Sequence, residues 1–139
     1  VIECVSQINT GAKYNDDVFQ FSVGLNGVGM KAVNALSSYF MVKSVRDGEF
    51  VEVHFAQGVL QDKKKGKTKE KDGTRIEFIP DTAIFKKYSF QKELILKRLW
   101  HYAYLNVGLT LMFNGEKIYS EHGLLDLLNE EVKEDRLYE

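Results

Sequence analysis

The chain has 139 residues, 44% of them hydrophobic, and a formal net charge of −1. That length suits one domain with one core, and no apolar run is long enough to cross a membrane. The near-neutral balance argues against a domain that works as a whole by neutralising nucleic-acid phosphates, and the single cysteine, Cys4, excludes an internal disulfide and fits a reducing cytoplasm.

In chain order, Val1, Val5 and Ile8 fall at i, i+4 and i+7 and predict an opening helix. No N-cap residue and no methionine precede it, so the reading here is of a piece of a longer protein. "NTGAKYNDD" reads as a polar loop and "VFQFSV" as a short strand or an extended lid segment. A glycine-broken corner follows, Gly24-Leu25-Asn26-Gly27-Val28-Gly29. The pattern then predicts a helix from about Val28 to Tyr39, with Met30, Val33, Leu36 and Phe40 as its apolar stripe and Lys31, Asn34 and Ser38 opposite. "FMVKSVRDGEFVEVHFAQG" predicts two strands joined by a turn at Asp47-Gly48. "DKKKGKTKEKD", residues 62–72, reads as a charged connection, and "TRIEFIP" as a strand stopped by Pro80.

A longer helix is expected from Phe90 to Leu105, with Ile95, Leu99 and Tyr102 on one face, an i, i+4 pair between Glu93 and Lys97, and an end at Asn106 and Gly108. "LTLMFNGEKIYSE" predicts a hairpin around Asn114-Gly115. A last helix carries Leu124, Leu125, Leu128 and Val132 before an acidic tail of linker composition. Hairpins beside helices without strict βαβ alternation give an α+β fold, a two-layer α/β sandwich. Residues 1–129 are assigned to the domain and 130–139 to a linker.

The glycine corner carries the chemistry. Helix starts leave amides unpaired and partly positive, and phosphate is their usual guest. Glycines let the backbone approach such a guest and take positive φ. Gly24 to Gly29 therefore reads as a phosphate cradle, to which Lys13 can add a point charge and Asn26 an amide donor. The spacing is G-x-x-G-x-G, neither the dinucleotide fingerprint nor a P-loop, so by spacing alone a tightly packed glycine turn explains it about as well.

The longer segment "NTGAKYNDDVFQFSVGLNGVGMKAVNALS" resembles the ATPase domain of bacterial type IIA DNA topoisomerases, found in the B subunits of gyrase and topoisomerase IV. Lys13, Gly24, Leu25, Gly27, Val28, Gly29 and "VNALS" match the family's lid and glycine motifs; "KDGTRIEFIPD" resembles its Gly-Thr strand, and "KRLWHYAYLNVGL" one of its helices. Asn26 stands where the family usually has His. The resemblance implies the GHKL (Bergerat) ATPase fold, incomplete at its N-terminal side, with Lys13, Gly24, Leu25, Asn26, Gly27, Val28, Gly29, Met30 and Thr74 as ATP-binding residues. It also implies ATP and Mg²⁺ as cofactors. The implied partners are a second copy of the B subunit, the DNA-cleaving A subunit, and DNA reached through other domains.

The family's Glu-x-x-x-Asn, which supplies general base and Mg²⁺ ligand, has no counterpart in this chain, nor has its adenine-reading Asp-x-Gly-x-Gly. No catalytic and no metal residue is assigned, and the Mg²⁺ ligand is expected upstream. The chain alone is expected to lack ATPase activity. The departures lean toward topoisomerase IV over gyrase. A histidine kinase and a non-enzymatic module that binds nucleic acid through the lysines remain as rivals.

Other clusters carry less. The six lysines from Lys63 to Lys71 read as a solvated hairpin connection. His54, His101 and His122 share no metal spacing, and Trp100, Tyr102 and Tyr104 read as packing aromatics rather than a stacking platform.

Overall fold

The computed structural model describes residues 1–8 and 27–132, in two compact units, Val1–Tyr88 and Ser89–Glu139. The polar loop, the strand expected at 18–23 and the acidic tail lie outside the described residues. No helix among the described residues is long and apolar enough to cross a membrane.

The first unit is a four-stranded antiparallel sheet carrying helices on one face. Helix α1 is Ile2–Ser6 and α2 Gly29–Ala35; the strands are β1 Ser37–Arg46, β2 Glu49–Ala56, β3 Val59–Lys67 and β4 Gly73–Pro80, followed by the short helix α3, Thr82–Phe85. The strand order is β3-β2-β1-β4. The sheet pairs Phe40 with Phe55 and Phe78, and Val42 with Val53 and Ile76. Side chains alternate across a strand, so these residues share one face. Phe40, Val42, Val53 and Phe55 form the core with Val5 of α1, and Val33 of α2 packs against it. The β4 column of the same face, Ile76 and Phe78, stays about 40% exposed.

Two hairpin turns put consecutive residues at positive φ, Asp47-Gly48 as expected and Gln57-Gly58, which the sequence pattern does not place. The charged stretch at 62–72 is mostly not a connection: residues 62–67 complete β3, the sheet edge, in register with β2. An edge strand exposed along its whole length buries nothing, so it needs no apolar residues.

Helix α2 is shorter than its hydrophobic period predicts, and it is rotated so that Val33 stays against the core while Met30 and Leu36 leave it. It stops at Ala35; Leu36 is its C-cap, and Phe40 belongs to β1. Lys31 and Asn34, expected on the solvent side, are buried, whereas Met30 and Leu36 are about 40% exposed. The nitrogens of both are bonded: Lys31 Nζ donates to the Gly27 carbonyl at 2.5 Å, and Asn34 Nδ2 to the Val5 carbonyl at 3.0 Å. Asn34 Oδ1 is buried without a partner among the described residues, so half of that amide carries a desolvation cost.

Where α2 meets the sheet, four segments are tied together. The Asp81 amide donates to the Leu36 carbonyl at 2.9 Å, and the Gln57 amide to the Ser37 carbonyl at 2.8 Å. The Ser37 hydroxyl donates to the Val33 carbonyl at 2.6 Å. The Asp81 carboxylate accepts from Gln57 Nε2 at 2.5 Å and caps α3 by accepting from the Ala83 amide at 2.8 Å.

In the second unit, α4 (Lys92–Leu105) ends at Asn106 with Gly108 at positive φ, as expected, and is followed by the hairpin β5 (Leu111–Phe113) and β6 (Glu116–Ile118) around Asn114-Gly115 and by α5 (Leu124–Val132). Ala103, Tyr104 and Ile118 are its buried apolar residues; Tyr102, expected to face inward, is exposed. Glu93 and Lys97 form no ion pair among the described residues; Lys92 instead reaches Glu116 at 2.9 Å. Tyr104 donates to the Glu130 carboxylate, and burial first, then that bond, pushes its phenol up to about 12.

The Gln57 bond first, then the Ala83 amide, hold the Asp81 carboxyl below its ordinary value of 3.8. A carboxyl lowered on folding contributes stability above its unfolded value and loses it as pH falls through the folded one. The Asp81→Asn variant is therefore expected to lower the thermal midpoint at neutral pH by roughly 5 °C. It should also flatten the loss of stability below the ordinary aspartate value; an acid-unfolding profile by circular dichroism identical to that of the parent chain contradicts this.

Candidate nucleotide-phosphate site

The described part of the site is the turn into α2. Gly27 has φ +57°, a left-handed conformation that glycine adopts without strain. Val28 is the N-cap, with helical dihedrals and no side-chain cap bond. The first helical bond runs from the Ala32 amide to the Val28 carbonyl at 2.9 Å. Among the described residues, no protein acceptor takes the amides of Gly29 and Met30. These are orphan donors of a helix start, and the positive end of the helix lies behind them.

On the Cβ side of Gly29 there is room. A Cβ placed on Gly29 meets nothing within 4 Å. Gly27 is half-buried, Gly29 and Val28 are exposed, and Met30 is 39% exposed.

Lys31 belongs with this turn, and sequence reasoning missed it. The helical period assigns it to the solvent face, but its ammonium folds back four residues to the Gly27 carbonyl. It fixes the carbonyl side of the turn while the amide side stays free, and it puts a positive charge beside the helix start. The signal available in the sequence was the i, i+4 spacing from a glycine in a turn, too general to decide.

Thr74, the second residue of β4, lies opposite Ser44 and is exposed. By alternation with Ile76 it lies on the face that carries α1 and α2, with no packing contact to the open side of Gly29. Lys13, Gly24, Leu25 and Asn26 lie outside the described residues.

Other constellations do not make sites. Among the described residues no group of three or more His, Cys, Asp or Glu is placed to hold a metal ion. Ser120, His122 and Asp126 do come together, but the Ser120 hydroxyl donates to Asp126 at 2.6 Å, and the same carboxylate accepts from the His122 amide at 3.0 Å. The Ser120 bond first, then the His122 amide, hold that carboxyl below its ordinary value. This is a structural cluster at the start of α5, with the serine bonded to the acid and not to the histidine. Trp100 and Tyr104 pack ring to ring at 5.5 Å along α4, in keeping with structural aromatics.

No family model matches the chain. Curated relatives do. The chain is 56% identical over 137 residues to the B subunit of DNA topoisomerase 4 from Borreliella burgdorferi, covering 99% of the chain and 23% of that protein. It is 33% identical over 140 residues to the B subunit of DNA gyrase from Helicobacter pylori strain 26695, covering 94% of the chain and 18% of that protein. The chain thus spans about a quarter or less of the relatives it matches. Among solved structures it matches the 43K ATPase domain of Thermus thermophilus gyrase B, crystallised with an aminocoumarin, at a TM-score of 0.68 and 31% identity, over 81% of this chain and 34% of that one. By sequence along almost its whole length and by fold, the chain belongs with the GHKL ATPase domain of bacterial type IIA topoisomerase B subunits.

Proposed function

We propose that this chain is the lid and triphosphate half of the ATP-binding domain in the B subunit of a type II DNA topoisomerase, of topoisomerase IV rather than gyrase type. One observation carries the phosphate assignment: the turn at Gly27-Val28-Gly29 opens α2 with amides that no acceptor among the described residues takes, and with room on the Cβ side of Gly29. Family membership supplies the nucleotide, and the higher identity to the topoisomerase IV relative favours that type.

In this reading Gly24, Leu25, Asn26, Gly27, Val28, Gly29 and Met30 wrap the terminal phosphates of ATP. Amide donors bind anionic oxygens tightly because donor and helix dipole act together. Lys13 adds charge from the lid, Lys31 holds the turn's carbonyl, and Thr74 offers a hydroxyl from the sheet. Bound ATP supplies the phosphoanhydride whose hydrolysis drives the enzyme. The residues present fit the triphosphate but not Mg²⁺, whose ligand is expected upstream together with the general base. The intact enzyme would work in the cytoplasm and pass one duplex through another, with two B subunits joined to the DNA-cleaving A subunit.

Hydrolysis needs a positioned water, metal and charge stabilisation together, and loss of a general base alone costs about 10²–10⁴-fold. The 139-residue chain alone is therefore expected to show no ATP turnover, and calorimetry to show weak or no ATP binding. Stoichiometric, tight ATP binding by this chain contradicts the division of the site. Joined to its DNA-cleaving partner, the complete B subunit is expected to decatenate DNA without introducing negative supercoils; ATP-dependent supercoiling would make it a gyrase.

Gly29 allows a sharper test. Because a Cβ there meets no protein atom, Gly29→Ala in the complete B subunit is expected to leave the melting temperature unchanged or slightly raised, as alanine favours helix. The same methyl enters the phosphate space and is expected to weaken ATP binding about tenfold or more, equivalent to about 1.4 kcal/mol. Unchanged nucleotide affinity would place the phosphates elsewhere.

A further inference from the structure

The lysines of β3 are sorted by the sheet. Lys64 lies on the face opposite the helices, with Asp62 at 3.5 Å and Glu52 as its cross-strand neighbour. Lys43, also on that face, is bound to Glu70 at 2.5 Å. Lys63, Lys65 and Lys67 alternate onto the helix-bearing face, opposite Val53, Val51 and Glu49. All three are exposed, and none has a carboxylate within ion-pair distance among the described residues; Glu49 lies across from Lys67 without closing a pair. Residues two apart on a strand are about 6.6–6.8 Å apart, so the three lysines leave the backbone at even intervals along one side of the sheet edge. Lys65 and Lys67 also line an open groove with Ser44, Arg46 and Val51, where Asp47 and Glu49 are the opposing charges.

We infer that this row is a contact for the sugar-phosphate backbone of DNA, made by the ATPase domain itself. A row of unpaired cations on an edge strand meets a polyanion with evenly spaced charges, gaining mainly from released counterions and reading no sequence. The chain as a whole is near neutral, so the attraction is local to this edge. The choice of DNA over another polyanion rests on the proposed topoisomerase function. The structural alternative is that the lysines only guard the open edge against strand addition.

The test uses the 139-residue chain and a short fluorescently labelled DNA duplex, with affinity read by anisotropy across salt. Each phosphate contact contributes about 0.9 to the slope of log affinity against log salt. The triple variant Lys63→Gln/Lys65→Gln/Lys67→Gln is expected to lower the slope by about 2.7, and so to lose roughly 40-fold less affinity between 50 and 200 mM salt than the unaltered chain. A control of equal charge in the same unit, on and after β4 at the opposite sheet edge, Arg75→Gln/Lys86→Gln/Lys87→Gln, is expected to keep the slope. Circular dichroism reports whether each variant is folded, and gel filtration whether it self-associates.

A slope that the β3 variant leaves unchanged overturns the proposal. So does the absence of DNA binding by the unaltered chain at low salt together with self-association of the β3 variant, the mark of an edge guard. Equal competition by polyglutamate overturns DNA as the partner. Nucleotide binding by the complete B subunit is read separately, so failure here leaves the ATPase assignment standing.

Discussion

The placement of the candidate site depends on how the C-terminal end of α2 is fastened to the sheet. Leu36, Ser37, Gln57 and Asp81 come from the end of a helix, the start of β1, the β2–β3 turn and the end of β4, and hydrogen bonds through Asp81 and Ser37 lock them together. A helix of 7 residues has no stability of its own in water. It persists because Val33 packs on the core, Asn34 holds α1 through the Val5 carbonyl, and this junction fixes its exit into β1. With one end anchored, the other can stay uncapped, which is the condition for leaving amides free for an anion.

The same anchoring explains the inverted face of α2. A short helix pinned at one end has little freedom to rotate its apolar side chains inward. It buries Lys31 and Asn34 instead and bonds their nitrogens locally, one on its own turn and one on α1, while Asn34 Oδ1 stays without a partner among the described residues. Lys31 serves the turn twice: its ammonium closes the carbonyl side and places a charge beside the amides that open α2. The open β4 column, with Thr74 at its far end, continues the same face.

Much of the fold was legible where local chemistry decides it. Asp47-Gly48 and Asn114-Gly115 demand positive φ at both residues and gave their hairpins directly. Gln57-Gly58 did not, because Gln is an uncommon occupant of the left-handed region and is held there by its amide bond to Ser37 and its side-chain bond to Asp81. The strand at 59–67 was hidden because an edge exposed along its length carries no apolar alternation to detect. The end of α2 was misplaced because Leu36 and Phe40 continue a helical period by accident, while the sheet register claims Ser37 onward. At the site, the turn at Gly27 and Gly29 was legible because a glycine-specific conformation precedes an apolar run. The inward turn of Lys31 was not, since it follows from tertiary anchoring.

The central claim is that the amides opening α2 receive the terminal phosphates of a nucleotide. The most direct measurement is a crystal structure of the complete B subunit with a non-hydrolysable ATP analogue. The expected result is terminal phosphate oxygens within hydrogen-bond distance of the Gly29 and Met30 amides, with Lys31 still on the Gly27 carbonyl. Phosphates bound elsewhere, with those amides facing water or taken up by protein acceptors, would contradict it.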